Sequence, residues 1–298
     1  MDSGNIIHRI KALPCWNGQV SLTPLTGGIT NINYLAEDDQ DRYAVRVGED
    51  IPEHHVMRFN ELSALQAASA AGVSPAVKYS EPMITVLDFV DGHTLTPEDV
   101  RQPGMLPRIV DLVKRCHREV PRHLRGPALI FWVFHVIRDY GATLDERESR
   151  HKTVVRDLVA ISNTLEAASG PFDIVFGHND LLAANLLDDG KRLWLIDYDY
   201  AGFNTPLFDL GGLSSNNALS GRMEQQMLEQ YFEAPLTEDL SRRHAAMKCA
   251  SLLRKTMWSM VSEITSKLDF DYRKYSAENL ARFRDAHREF QKTYGAAL

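Results

Sequence analysis

Alternating apolar and polar residues characterise the first third of the chain. Residues 20–25, 31–36 and 42–47 alternate in this way, and the acidic run "EDDQD" separates the last two segments. Because successive side chains of a strand point to opposite faces, this alternation predicts strands that bury one face. The apolar segment "MITVLDFV" at residues 83–90 predicts a final strand of the same small sheet.

Helical spacing of apolar residues begins after the first strands, between Pro52 and Gly72. Proline favours the first turn of a helix, and glycine favours the position just beyond the last turn. Four apolar residues recur at helical spacing in this segment: Val56, Phe59, Leu62 and Leu65. From Pro107 onward the pattern is mostly helical, and residues 239–294 predict two long helices with a break at 269–271.

These elements predict an α+β fold of two lobes. The small, sheet-rich lobe would span residues 1–90, and the larger, mainly helical lobe would span residues 91–298. A chain of 298 residues is long enough to give each lobe a core. Its hydrophobic content of 44% and charged content of 24% are typical of a globular domain.

Charge and cysteine content exclude several classes of partner. The net charge is −7 and no basic block is present, so we do not expect nucleic acid to bind. Three widely separated cysteines predict reduced thiols, as in a cytoplasmic protein. Neither a signal-peptide core nor an apolar stretch of membrane-spanning length is visible, so no membrane partner is expected. The pattern gives no indication of the oligomeric state.

The segment "HNDLLAANLLDDGKRLWLIDY" (178–198) combines a hairpin signal with unusual polar residues. Asp189 and Gly190 are expected to form a two-residue turn, which would pair Asp188 with Lys191 and place Asn185 across from Trp194. The open end of that hairpin would then carry several chemically useful groups: His178, Asp180, Asn185 and Asp197.

Three of these groups suit phosphoryl transfer. Oxygen atoms of Asn185 and Asp197 are the hard ligands that Mg²⁺ prefers, and Mg²⁺ usually takes few protein ligands beside phosphate oxygens. Asp180 would remain available to orient and deprotonate a hydroxyl, as the catalytic Asp of protein kinases does. The alternative is a polar loop in which Asp and Asn only form turns. His178 is expected to brace the loop, and His54, His55 and His117 are expected to be solvated or to cap helices.

The stretches "HNDLLAANLL" and "LWLIDYDYAGFNTPLFDLG" resemble the choline/ethanolamine kinase family, part of the aminoglycoside-phosphotransferase-like group with a protein-kinase-like fold. The matching residues are His178, Asn179, Asp180, Asn185, Ile196, Asp197, Asp199, Tyr200, Asn204, Phe208, Asp209 and Gly211. The resemblance implies transfer of a phosphoryl group from ATP, with Mg²⁺, to a small cationic alcohol such as choline or ethanolamine. It makes Asp180, Asn185 and Asp197 catalytic, and the last two metal ligands.

The resemblance also assigns nucleotide contacts to the first lobe. "LTGGITNINYLA" resembles the family's nucleotide loop, although a glycine pair alone is equally the turn of an ordinary hairpin. "YAVRV" places an arginine where protein kinases carry their phosphate-contacting lysine, and "LDFVDGHTL" resembles the hinge that receives adenine. Glu61, on the predicted helix, is expected to be the partner that fixes Arg46. The residues assigned to the nucleotide site are Gly28, Thr30, Asn31, Arg46, Glu61 and Phe89.

The second lobe is expected to bind the alcohol. "KTMWSMVSEITSKLDFDYRKY" resembles the family segment that lines the acceptor pocket with aromatic rings, which suit a quaternary ammonium. The implied pocket residues are Tyr200, Asn216, Trp258, Tyr272 and Tyr275. Alternatively, these aromatics are core residues at helical spacing.

Two positions depart from the family pattern. Lys255 replaces the first of two paired tryptophans, and Asn216 stands where animal members have a carboxylate. A lysine would repel a cationic substrate unless it points away. Another alcohol, such as a sugar or an aminoglycoside, and a kinase-fold module that only binds its ligand are therefore the alternatives.

Overall fold

The first lobe is built on a five-stranded antiparallel sheet. The computed structural model describes residues 3–25 and 31–295, and the strands lie in the order β1-β2-β3-β5-β4. Its elements are α1 (Ser3–Lys11), β1 (Ser21–Leu25), β2 (Ile32–Glu37), β3 (Arg42–Val47), α2 (Arg58–Ala70), β4 (Val77–Glu81) and β5 (Ile84–Asp88). The patterns of residues 20–47 and 83–90 thus form strands as predicted, whereas α1 and β4 were not predicted.

One face of this sheet packs under α1. The inward residues of β3 and β5, among them Val45 and Val86, are fully buried against Ile10 of the helix. Residues two apart on a strand share a face. The apolar positions of the alternating pattern therefore form the buried face of this sheet.

The helix predicted to start at Pro52 begins later. Pro52–His54 forms a single 3₁₀ turn, and Ile51 then pairs with Val56 before α2 begins at Arg58. Pairing of these two residues interrupts the helical backbone, which the apolar spacing alone could not indicate. Phe59, predicted to lie on the buried face, is 47% exposed.

The second lobe is mainly helical and also carries short strands. Its elements are β6 (His93–Thr94), α3 (Pro97–Val100), α4 (Met105–Glu119), α5 (Val133–Glu146), α6 (Lys152–Ser169), β7 (Val175–Gly177), β8 (Leu186–Asp188), β9 (Leu193–Leu195), β10 (Gly202–Asn204), α7 (Pro206–Asn216), α8 (Gly221–Phe232), α9 (Glu238–Thr265) and α10 (Tyr272–Tyr294). The break between the two long C-terminal helices falls at residues 266–271, as predicted. None of the helices in the described ranges combines the length and apolar character needed to cross a membrane.

Helix α9 is the centre of the second lobe. It packs against α5, α6, α7 and α10, and Leu253, Met257 and Met260 are fully buried there. Gly211 allows α7 to approach it closely, because a Cβ at this position would lie 2.7 Å from the backbone nitrogen of Lys248. This approach brings Asn216, at the end of α7, opposite Lys255 of α9. We propose that the boundary between the two lobes lies near residue 90, because the last strand of the first sheet, β5, ends at Asp88.

Candidate active site

The hairpin in the second lobe has a longer turn than predicted. Asp188 lies opposite Leu193, so its predicted pairing with Lys191 is wrong. The Asp189 carboxylate accepts the backbone N–H groups of Lys191 and Arg192 at 2.8 Å each. Aspartate forms such side-chain turns readily, and here this turn replaces the two-residue one.

This register also corrects the position of Asn185. Asn185 lies beside Ile196 rather than across from Trp194, and the Ile196 N–H donates to the Asn185 carbonyl at 3.0 Å. Asp197 follows immediately and has a positive φ of 67°. The two predicted metal ligands therefore lie at the same end of the hairpin.

A buried carboxylate at the start of α7 holds the loop that carries Asp180. Asp209 accepts the backbone N–H groups of His178 and Asn179 at 2.8 and 2.7 Å. The His178 imidazole is fully buried and its Nε2 lies 2.9 Å from the carbonyl oxygen of Ile196. The two residues before Asp180 are thus tied both to α7 and to the hairpin.

The three predicted catalytic residues converge at the end of the hairpin. The Asn185 amide donates to the backbone carbonyl of Asp180 at 2.9 Å, which turns its Oδ1 away from that contact. The side chains of Asp180 and Asp197 are partly exposed, at 21% and 31%. A substrate can therefore reach both carboxylates.

Arg46 reaches this cluster from β3. Its Nη2 lies 2.7 Å from Asp197 and 2.7 Å from Asp199, and its Nε lies 2.8 Å from the Glu61 carboxylate. Glu61 projects from α2 and is almost completely buried. The structure therefore brings together the arginine, the helix glutamate and a predicted metal ligand from three distant segments.

A second arginine, not predicted from the sequence, completes this network. Arg58 lies 2.6 Å from Glu61 and 2.7 Å from Asp199, and it donates to the Asn31 side chain at 2.7 Å. Gly48 makes room for the network, since a Cβ there would lie 2.5 Å from Asn31 Oδ1. The only sequence signal was the spacing of three residues between Arg58 and Glu61 on one helix face.

Of the three remaining nucleotide predictions, Phe89 lies within the described residues. Gly28 and Thr30 lie outside the described residues. Phe89 follows β5 and is half-buried, and its backbone N–H donates to the Arg42 carbonyl at 3.0 Å. The Arg42 guanidinium lies 5.1 Å from the centre of the Phe89 ring.

The predicted aromatic residues pack around Trp258 and Phe270. The Trp258 indole N–H donates to the Tyr200 hydroxyl at 2.9 Å, and both side chains are buried. The Trp258 ring lies between His54 and Tyr272, with centroid distances of 4.9 and 6.2 Å. Tyr275 is half-buried, and its ring packs 5.5 Å from that of Phe270.

The cleft beside Asp180 also contains the residues that depart from the family pattern. It is lined by Asp180, Asn216, Arg254 and Lys255, among others. The Lys255 ammonium donates to Asn216 Oδ1 at 3.2 Å, so this lysine faces the cleft. The Arg254 guanidinium lies 4.0 Å from the centre of the Tyr200 ring and 3.9 Å from the Asp180 carboxylate.

Comparison with known proteins identifies the family. The sequence profile described as choline/ethanolamine kinase matches residues 22–225. The chain belongs to the choline/ethanolamine kinase family.

Individual relatives agree with this assignment. Human ethanolamine kinase 2 is 26% identical over 297 residues, covering 88% of this chain and 75% of its own. The crystal structure of a choline/ethanolamine kinase family protein from Mesorhizobium loti has a TM-score of 0.79 at 26% identity and covers 99% of both chains. The choline kinase LicA from Streptococcus pneumoniae shares the fold, with a TM-score of 0.74 at 21% identity and coverage of 97% and 98%. The chain is therefore a small-molecule kinase with a protein-kinase-like fold.

The pKa values of the two carboxyl groups at the kinase site, Asp180 and Asp197, are shifted in opposite directions. Burial raises the pKa of Asp180, and Arg254 only partly offsets that effect. Burial acts on Asp197 in the same direction, but Arg46, with smaller contributions from His178 and a backbone N–H, lowers the pKa of Asp197 below its ordinary value. A carboxylate with a raised pKa suits proton transfer, and one held ionised by an arginine suits a metal ligand.

The side-chain donors at this site suit Mg²⁺ that is shared with phosphate oxygens, rather than a metal ion bound only by protein side chains. Within residues 3–25 and 31–295, no three His, Cys, Asp or Glu side chains form a group that could hold a metal ion. Asn185 Oδ1 and the Asp197 carboxylate supply two oxygen donors, which is the number Mg²⁺ commonly takes when phosphate oxygens complete its shell.

The expectation that His54 and His117 are solvated or cap helices is wrong. His54 is 4% exposed, and burial lowers its pKa to about 3. His117 is 2% exposed and bridges the Asp209 carboxylate and the Tyr231 hydroxyl at 2.9 and 2.7 Å. Their partners come from distant helices, so the local sequence could not indicate burial.

Proposed function

We propose that this kinase transfers the γ-phosphoryl group of ATP, with Mg²⁺, to the hydroxyl of a small amino alcohol. The observation that carries this proposal is the convergence of Asp180, Asn185 and Asp197 beside the arginine network of the first lobe. Membership of the choline/ethanolamine kinase family supports the class of acceptor.

The expected chemistry is a direct transfer. The acceptor oxygen attacks the γ-phosphorus, the bond from that phosphorus to the β–γ bridging oxygen breaks, and ADP leaves. Asp180 takes the proton of the hydroxyl. Arg46, which pairs with Asp197 in this structure, would bind phosphate oxygens as a permanent cation.

Asn185 and Asp197 are the residues that would hold Mg²⁺. The ion would neutralise charge on the phosphate oxygens. Arg46 would hold the phosphates in a fixed position, since its own guanidinium is fixed by the Glu61 carboxylate at 2.8 Å.

Between the two family substrates, the geometry favours ethanolamine over choline. A trimethylammonium group binds best over open aromatic faces. Here the Tyr200 ring already carries the Arg254 guanidinium at 4.0 Å, and Trp258 is only 8% exposed. A primary ammonium is smaller and can use hydrogen-bond acceptors instead of rings.

Mg·ATP is expected to stabilise the folded protein. A ligand that binds only the native state adds about 2.7 kcal/mol at a concentration one hundred times its Kd. Thermal denaturation should show a rise in Tm with ATP and Mg²⁺ together, and EDTA should remove most of it. An unchanged Tm at millimolar Mg·ATP would contradict nucleotide binding.

Trp258 is expected to affect the acceptor rather than the nucleotide. Trp258→Ala should raise the KM for the acceptor by roughly tenfold, because it removes the hydrogen bond at 2.9 Å that holds Tyr200, whose ring carries the Arg254 guanidinium beside the acceptor cleft. Trp258→Phe keeps the packing of a ring but also lacks this N–H donor, so it should show a smaller rise in the same direction. Steady-state kinetics should show a nearly unchanged KM for ATP in both variants. If Trp258→Ala lowers stability and leaves acceptor kinetics unchanged, Trp258 is only a core residue.

A screen of ATP consumption tests the proposed function as a whole. The acceptors should include amino alcohols, sugars and aminoglycosides, each with and without Mg²⁺. We expect turnover with amino alcohols that needs Mg²⁺. Turnover confined to sugars or aminoglycosides would replace this proposal with a different acceptor class.

A further inference from the structure

Two adjacent cations of α9, Arg254 and Lys255, line the cleft next to the predicted base. Lys255 donates to Asn216 across the cleft at 3.2 Å, and the Arg254 guanidinium lies 3.9 Å from the Asp180 carboxylate. Both therefore face the space that the acceptor must enter to place its hydroxyl against Asp180.

Arg254 is buried without enough acceptors. It is 6% exposed, and its Nε and Nη2 lack a hydrogen-bond partner of good geometry within the described ranges 3–25 and 31–295. The nearby Tyr200 and Tyr140 hydroxyls are neutral and leave its charge without a close ion pair. Rings hold the guanidinium in place, with Tyr200 at 4.0 Å and Phe131 at 5.5 Å. A buried guanidinium with open donors is costly, and a carboxylate can satisfy two of its donors at once.

The charge balance of the cleft points to the same missing group. The charged groups that act on the Lys255 ammonium are Asp180, Arg282 and Arg254, one carboxylate against two further cations. Burial lowers the pKa of Lys255, and Asp180 only partly offsets it. A purely cationic acceptor would add repulsion at this site, and an acceptor with an anionic group would relieve it.

The nucleotide is not the expected partner of these two cations. The phosphates are assigned to the side of Asp180 that holds Asp197, where Arg46 reaches to 2.7 Å. Arg254 and Lys255 lie instead on α9, among the residues that line the acceptor cleft.

We propose that the preferred acceptor is a small zwitterionic amino alcohol, a hydroxy amino acid, whose carboxylate binds Arg254 and Lys255 while its hydroxyl meets Asp180. This inference rests on the proposed function and names its substrate class more closely. A choline-type acceptor needs a cage of open aromatic rings. In this protein, Arg254 and Lys255 form a binding site for an anionic group instead.

Matched acceptor pairs test this directly. Serine and ethanolamine differ only by the carboxylate, as do threonine and 1-amino-2-propanol, and homoserine and 3-amino-1-propanol. With Mg·ATP, we expect at least one carboxylated member to exceed its partner in kcat/KM by roughly tenfold or more, the scale of a charge-assisted hydrogen bond. Formation of the phosphomonoester should be measured alongside ATP consumption.

Substitutions of Lys255 and Arg254 test whether these residues cause the preference for a carboxylated acceptor. Lys255→Gln should lower the ratio of carboxylated to decarboxylated kcat/KM about tenfold, mainly through KM for the amino acid, with little change in KM for ATP. Arg254→Gln should act in the same direction, and Arg254→Lys should restore part of the ratio if the Gln variant folds poorly. Lys248→Gln is the matched control, since Lys248 lies on the same helix but pairs with Glu224 at 2.6 Å.

Different failures have different meanings. If every decarboxylated alcohol is the better substrate, the zwitterion inference is wrong and the proposed function stands. If Lys255→Gln raises the KM for ATP as much as that for the acceptor, the cations serve the phosphates and the inference is again wrong. If no member of any pair is phosphorylated, the proposed function fails as well.

Discussion

Asp180→Ala is expected to lower kcat by roughly 10²–10⁴-fold, the usual contribution of a positioned base. The carboxylate lies at the cleft, and no nucleotide contact is assigned to it. Mg·ATP affinity should therefore stay close to that of the unchanged protein. Steady-state kinetics measures kcat, and a nucleotide titration of the same preparation measures the affinity for Mg·ATP.

Asp197→Ala should fail in a different way. Asp197 is held ionised by Arg46 at 2.7 Å and is assigned to the metal, so its removal should weaken nucleotide binding only when Mg²⁺ is present. Titrations with and without Mg²⁺ give this comparison. An equal loss of ATP affinity in the Asp180 and Asp197 variants would refute the separate roles.

Asp209→Asn is expected to destabilise the protein by about 3–5 kcal/mol, because an NH₂ group would replace one carboxylate oxygen and leave buried donors without a charged acceptor, at about 1.5–3 kcal/mol each. The Asp209 carboxylate is 2% exposed and accepts hydrogen bonds from His117 and from the backbone of His178 and Asn179. Burial opposes its charge, but these donors lower the pKa of Asp209. Because Asp209 also positions the loop of Asp180, kcat should fall together with stability.

The pH dependence of this effect has a definite sign. A carboxyl whose pKa is lowered in the folded state stabilises it above the unfolded pKa of about 3.9, and this contribution is lost as pH falls through the lowered value. The free energy of unfolding in urea at pH 7 should therefore show the full difference between Asp209→Asn and the unchanged protein. Asp239→Asn is the control, because its carboxylate is 57% exposed and should cost less than about 1 kcal/mol. A loss below about 1 kcal/mol for Asp209→Asn would contradict the role of the carboxylate.

Periodicity predicted the elements that bury one regular face. The strands of the first sheet and the two C-terminal helices follow from the spacing of their apolar residues, which is a local property. The hairpin after Asn185 was predicted with the wrong register, because Asp189 bonds to the backbone of its own turn. The start of α2 was misplaced because Ile51 and Val56 pair across the intervening turn.

Pairings between distant segments could be predicted only in part. The contact of Arg46 with Glu61 followed from the kinase resemblance, whereas Arg58 meets Asp199 across 141 residues of sequence without such a guide. Arg254 stands beside the conspicuous Lys255 and was overlooked, since only the fold shows which face of α9 lines the cleft. Burial of such groups depends on tertiary packing that no local pattern encodes.

The most direct test of the central claim is ³¹P NMR of a reaction containing the protein, ATP, Mg²⁺ and the amino alcohols or hydroxy amino acids named above. We expect a new phosphomonoester signal that grows in step with ADP, needs both Mg²⁺ and an acceptor, and grows at least about 100-fold more slowly with Asp180→Ala. Release of inorganic phosphate without a phosphomonoester, or no consumption of ATP with any acceptor, would contradict the assignment of this site to phosphoryl transfer onto an alcohol.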